Sequence, residues 1–223
     1  METNQPSLGG TAVAAAAKPV RRLVLQIHEV KCVDETNSGT AEIFGGDEID
    51  LAGISIDASG RVTRLPTLDL GGFSGDGKTK HFSPARTVAT FEIRKGMSFP
   101  QFYQVAFILA ERDAGGGLGE VVDDLVEEAR KKPIPVAAAA AGVLVPVAKA
   151  VLIEVGTVII KKLPGLISKA LDDDIFPTQV ESLSLDSATF RFPGGAATGP
   201  TERRNFKAHD GEYRITYSWR VVT

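Results

Sequence analysis

The sequence predicts a mainly β fold with a helical insert: an antiparallel β-sandwich of about seven or eight strands, interrupted by an α-helical hairpin. Short alternating apolar runs separated by turn chemistry occupy both ends of the chain. Between them lies an Ala/Val/Ile-rich stretch with helical spacing, from about Leu118 to Leu171. It ends in Asp172-Asp173-Asp174, after which strand-like sequence resumes.

Residues 1–20 read as a flexible tail, polar at first and then Ala-rich. Lys18, Arg21 and Arg22 follow the small-residue run, the reverse of the order a secretory signal needs. The expected location is cytoplasmic, or outside the cell by a signal-independent route. The rest of the chain, 21–223, reads as one sandwich domain carrying a helical insert at 117–173. Leu23, Leu25, Ile27 and Val33 alternate in the first strand, which ends at Asp34 and Glu35. A Gly/Ser/Thr-rich loop leads to Asp47 and Glu48, and Ile49, Leu51, Ile54 and Ile56 mark the second strand. Asp57 to Gly60 is hairpin-turn chemistry, with 61–64 as the returning strand.

Residues 71–80 are glycine-rich and polar and read as a loop. Strands are expected at 88–93 and 102–109, the second apolar at both parities like a central strand covered on both faces. Alternation also marks 182–185, 189–192 and 212–222, with His209-Asp210-Gly211 opening the last strand opposite Asn205 and Phe206.

In the insert, Leu118, Val121, Val122, Leu125, Val126 and Ala129 recur at helical spacing, while Glu120, Asp123, Asp124, Glu127, Glu128 and Arg130 take the other face. Acids lie early and Arg130, Lys131 and Lys132 late, which suits the helix dipole. Pro133 and Pro135 break this helix. From 146 to 171 a second helical run keeps Glu154, Thr157, Lys161, Ser168 and Lys169 on a narrow stripe, leaving most of its circumference apolar. Such a helix needs cover from the sandwich, a partner chain or lipid. The uncharged span 134–148 is shorter than the roughly twenty residues needed to cross a bilayer.

A net charge of −3 argues against nucleic-acid binding, which needs a surplus of Lys and Arg on one face. Cys32 is the single cysteine, so no intrachain disulfide and no Cys-rich zinc site can form. His28, His81 and His209 lack paired-ligand spacing, and no Gly-x-Ser-x-Gly elbow occurs. The glycine run around Gly115 and Gly119 lacks a following Lys-Ser/Thr and is followed by acids, so it reads as a joint into the insert. Cys32 reads as a small core residue, and Tyr217 and Trp219, two apart, as core or sheet-edge packing. No catalytic residues emerge, and the expectation is a protein that is not an enzyme.

The carboxylates are the strongest functional candidates. Asp34 and Glu35 end one strand, Asp47 and Glu48, with Asp50 close behind, open the next, and Asp172, Asp173 and Asp174 stand where the strands resume. If the sandwich brings these ends together, enough hard oxygen donors converge to coordinate calcium, which would relieve their mutual repulsion. The order of strand, Asp34-Glu35-Thr36, glycine loop and Gly46-Asp47-Glu48-Ile49-Asp50-Leu51 resembles calcium-binding β-sandwich domains of the synaptotagmin-like type. It is also similar to little-characterised bacterial β-proteins with an acidic opening. The resemblance covers roughly 23–51 and, loosely, 172–176. It implies acidic loops at one end of the sandwich that hold calcium and meet phospholipid.

The function expected from these observations is a non-enzymatic binding module, calcium-dependent through its acidic loops, that docks on a membrane or a partner protein through the helical insert. Two alternatives stand beside it: a structural or cargo component of a larger assembly, homo- or hetero-oligomeric, and a toxin-like protein whose hairpin inserts into lipid.

Overall fold

A computed structural model describes residues 17–36, 47–93, 96, 98–112, 117–131 and 174–223. The described chain is mainly β, with two antiparallel sheets and one α-helix. Its strands are β1 (Arg22–Asp34), β2 (Asp47–Ile56), β3 (Val62–Arg64), β4 (Leu68–Phe73), β5 (Thr79–Glu92) and β6 (Gln101–Glu111). Helix α1 (Leu118–Arg130) follows, then β7 (Asp174–Ile175), β8 (Gln179–Leu185), β9 (Glu202–Ala208) and β10 (Gly211–Val222). One sheet has the order β5-β1-β10-β9. In the other, β2 and β6 are the central pair; β3 and β4 flank β2, and β7 and β8 flank β6.

The alternation in β1 breaks at one point. Ile27 pairs with Tyr217, but the next ladder pair is Glu29 with Thr216, so His28 is a bulge and the strand's parity flips. Val30 and Cys32 therefore enter the core in place of the expected Val33, which is only half-buried. Across the ladder, Tyr213, Ile215, Tyr217 and Trp219 face the same way and are buried. Side chains from both sheets share this cluster. Tilted or edge-on ring pairs join them: Phe91 of β5 with Tyr103 of β6 at 5.0 Å, Phe107 of β6 with Tyr217 at 6.0 Å, and Phe73 of β4 with Tyr213 at 5.5 Å.

Strands β2 and β6 are apolar on both parities because each feeds two cores. Ile49, Leu51, Tyr103, Val105, Phe107 and Leu109 join the intersheet cluster. Ala52, Ile54, Ile56, Ala106, Ile108 and Ala110 join a second cluster with α1. The α1 residues predicted to be apolar, Leu118, Val121, Val122, Leu125, Val126 and Ala129, are all buried there. Each fully buried Val or Leu contributes about 1.5–3 kcal/mol, so tertiary packing rather than propensity holds this helix of 13 residues. Glu120 in the first turn and Arg130 in the last complement the dipole, and an Arg64–Asp123 ion pair of 3.3 Å links α1 to β3.

Gly53 allows the close approach of β2 and β6. Its φ is +150°, and a Cβ there would overlap the carbonyl oxygen of Ala106. The β2–β3 turn forms as expected, with Gly60 at φ 80° donating to the Asp57 carbonyl at 2.8 Å. The β9–β10 turn carries His209 and Asp210 at φ 52° and 56°, the left-handed pair of a type I′ hairpin.

Three expectations change. The segment 71–80 is not all loop: β4 takes its first residues and β5 its last. The alternating run 189–192 is no strand, because the chain turns through Phe192↔Ala196 and a 3-10 turn at Pro193–Gly195, where Gly194 has φ 75°. The described strands number ten rather than seven or eight, because β4 and the two-residue β7 carried too little periodic sequence to read. The second arm of the expected hairpin, and most of the tail, lie outside the described residues.

Candidate functional site

The end of β1, the start of β2, the end of β6, β7 and the start of β10 meet at one end of the sheets. Asp34 pairs with Glu212, Asp47 with Phe73, and Glu111 with Asp174. Of the predicted carboxylates, Asp34, Glu35, Asp47 and Glu48 are described here with their side chains; Asp174 is placed by its backbone. Asp172 and Asp173 lie outside the described residues.

Among the described residues, these side chains form no shared metal-holding group. Asp47 is turned inward and buried, and its Oδ2 accepts the Thr36 N–H at 2.9 Å together with the Tyr213 hydroxyl. Glu111, also buried, accepts the Thr36 hydroxyl. Thr36 is thus clamped between two buried carboxylates. Gly211 makes room for it, since a Cβ at that position would come within 2.6 Å of Thr36 Cγ2 and 2.9 Å of its backbone nitrogen. Glu35 accepts the Gly75 N–H, while its own N–H donates to Asp76 Oδ1 at 3.0 Å. Glu48 faces outward at 3.8 Å from Arg112, and Arg112 also reaches Asp50 at 3.1 Å and Asp69 at 3.5 Å. Asp34 is exposed. The negative field of Asp50 above all, with Asp69 and Glu48, holds the Arg112 guanidinium above its usual pKa.

Burial dominates the titration of the groups beneath. It raises the Tyr213 hydroxyl well above the usual tyrosine range, and the bond to Asp47 adds to the shift. Burial also pushes the Cys32 thiol up to about 11; the bond to Tyr213 opposes this, and the charges of Glu35, Asp47 and Asp76 reinforce it. Cys32 is therefore a protonated core thiol at neutral pH, not an activated nucleophile. Among the described residues, no group of three or more His, Cys, Asp or Glu is placed to hold a metal ion. Glu35, Asp47 and Glu111 instead accept from protein N–H and O–H donors.

A second buried carboxylate cluster lies between the sheets. Glu181 of β8 accepts the Tyr217 hydroxyl and a 3.0 Å bond from Arg204 Nη2, and Glu202 Oε2 stands 3.0 Å from the same hydroxyl, sharing its proton. The Arg204 guanidinium stands 5.9 Å over the Tyr217 ring. Desolvation raises the Glu181 carboxyl above the usual range, with Tyr217 and Arg204 opposing it. His28 bonds Ser218 at 2.8 Å on the first sheet's outer face, and Trp219 is core. Sequence reasoning did not single out Thr36, Glu111, Tyr213 or Glu181. The readable signal for Glu111 was an acid closing a strand apolar on both parities.

Among the described residues no helix is long and apolar enough to cross a membrane. No protein-family model, curated protein or solved structure matches the chain.

Proposed function

We propose that this chain is a non-enzymatic binding module, a β-sandwich scaffold that docks on a partner protein or a membrane surface through its helical insert, with calcium ordering its acidic end. The observation that carries the reading is the burial of the whole apolar face of α1 on the second sheet. That helix accounts for the sheet's apolar outer surface. The insert's second helical run in the sequence, 146–171, keeps its polar residues on a narrow stripe and calls for apolar cover of its own. Its role in this reading is recognition, as the second arm of a hairpin whose first arm is α1. The ring pairs that link the two sheets support the sandwich arrangement.

The calcium part rests on narrower ground. The described carboxylates do not fit a calcium site by themselves, since Asp47, Glu111 and Glu35 are committed to protein donors. In its favour, the ladder pair Glu111↔Asp174 brings the close of the Asp172-Asp173-Asp174 run to the acidic end. Calcium binding would draw on that run together with the outward Asp34 and Glu48.

Thermal unfolding in excess chelator and then in millimolar calcium tests this, alongside co-sedimentation with phosphatidylcholine vesicles. Calcium at about one hundred times its Kd adds about 2.7 kcal/mol. At about 2–4 °C per kcal/mol for a chain of this size, the midpoint rises by about 5–11 °C. Asp34→Ala and Asp174→Ala remove that rise. A metal-indifferent midpoint sinks the calcium part. With self-association and no vesicle binding, it moves the reading to a structural or cargo component of an assembly. Calcium-independent vesicle binding that Glu154→Lys weakens without loss of stability moves it to a lipid-inserting protein.

A further inference from the structure

On the outer side of the acidic end, an open groove of about 590 Å³ runs between β4 and β5. These are edge strands of different sheets, β4 pairing with β2 and β5 with β1. The groove exists because β5 leaves its ladder there. Arg86 pairs with Ile27 and the next pair is His81 with Glu29, so residues 82–85 swing out, a bulge that re-aims the side chains on either side of it.

Two cations in this groove are held by aromatic faces rather than by acids. Lys80 Nζ lies 4.9 Å from the centre of the Phe73 ring. It crosses Gly71, where φ is +89° and a Cβ would collide with the ammonium nitrogen, so the bare backbone is what admits it. The Arg86 guanidinium stacks 4.4 Å from the centre of the Phe82 ring, and its Nη1 donates to the Asp69 carbonyl. Both cations are thereby oriented before any ligand arrives. The one carboxylate lining the groove, Asp69, is committed to other partners. Its Oδ1 accepts the Gly71 N–H at 2.6 Å and its Oδ2 stands 3.5 Å from Arg112. His81 is occupied with Glu29 at 3.1 Å. Among the described residues, no carboxylate stands within ion-pair distance of Lys80 or Arg86.

We propose that this groove is a binding site for a phosphoryl group, with Arg86 presenting planar N–H donors and Lys80 a point charge to its oxygens. A preoriented guanidinium and ammonium without an acidic partner match an oxyanion in both charge and donor geometry. The group can come from a soluble phosphate or from a lipid headgroup. The groove borders the acidic end, sharing Asp69 with the Arg112 ion pairs and Phe73 with the Asp47 ladder, but it uses none of the carboxylates offered to calcium and no residue of 133–171, so the two readings fail separately.

The test is isothermal titration of the full chain with inorganic pyrophosphate at low salt. It is run beside co-sedimentation with phosphatidylcholine vesicles, with and without phosphatidic acid. Saturable pyrophosphate binding is expected, weakened about tenfold or more by Lys80→Ala or Arg86→Ala and abolished in the double variant. Arg203→Ala, which removes a charge from β9 at the far edge of the same sheet, leaves it unchanged. Phosphatidic acid-dependent sedimentation lost in the same variants identifies a headgroup as the source; pyrophosphate binding without it identifies a soluble phosphate. Sedimentation with phosphatidylcholine alone that ignores these variants belongs to the insert. Absence of pyrophosphate binding by the wild type, or equal binding by the double variant at an unchanged thermal midpoint, overturns the assignment.

Discussion

Replacing Tyr213 by Phe tests whether the acidic end is held by protein donors. The side chain is fully buried, and its hydroxyl is one of the donors to the inward carboxylate of Asp47. Phe keeps the ring and its edge-on contacts with Phe73 and Phe176, so no appreciable cavity opens. What is lost is a hydrogen bond to a carboxylate in a buried site, together with the weaker bond to the Cys32 thiol, which leaves Asp47 with the Thr36 N–H at 2.9 Å as its remaining described donor. A bond to a charged group is worth about 1.5–3 kcal/mol. At about 2–4 °C per kcal/mol the midpoint falls by about 3–12 °C. Urea unfolding followed by fluorescence of the buried Trp219 reads the same loss as a lower midpoint with an unchanged m-value. The measurement is repeated in chelator and in calcium. A loss smaller than about 0.5 kcal/mol in chelator refutes the structural role of the bond. A gap between the two proteins that closes only in calcium shows instead that a cation neutralises Asp47.

Leu125→Ala, at the centre of the α1 contact with the sheet, lowers stability by about 2–5 kcal/mol in denaturant unfolding; no change would mean that α1 is not anchored there. Gly53→Ala forces a Cβ against the Ala106 carbonyl at a φ of +150° and costs about 3 kcal/mol or more, read as loss of soluble folded protein or a much lower midpoint. Glu181 gives a pH dependence. Its folded pKa lies above the unfolded value, so its contribution is complete below the ordinary carboxylate range and is lost as pH rises through the folded value. Glu181→Gln removes that decline, and midpoints of the two proteins between about pH 4 and pH 8 should diverge in that direction; parallel profiles would show that Glu181 does not drive it.

Legibility in the chain followed the range of the interaction. The helix α1 and its buried stripe could be read because Leu118, Val121, Val122, Leu125, Val126 and Ala129 repeat within one element. The two-faced burial of β6 could be read because its sequence is apolar at both parities. Val33 leaves the inward parity that its strand's alternation predicts because a single bulged residue, His28, reverses which parity faces inward, and periodicity carries no mark of a bulge. The run 189–192 alternates as a strand would, yet Gly194 and Gly195 at positive φ turn the chain before it pairs. Lys80 lies in a glycine-rich stretch that carries no local mark of its role, since the side chains that orient it become neighbours only when two sheets meet.

The sequence by itself determined the β-rich class, the position and inner face of α1, the turns at Gly60 and at His209-Asp210, and the placing of acids at strand ends. Each depends on residues a few positions apart, where backbone preference and alternation act directly. Tertiary structure alone decided what those acids do. Thr36 meets Glu111 across 75 positions and Tyr213 meets Asp47 across 166, so whether a carboxylate faces water, a cation or a hydroxyl was settled by packing between distant strands. A buried charge must find a donor wherever the fold supplies one, and no local pattern records where that donor will come from.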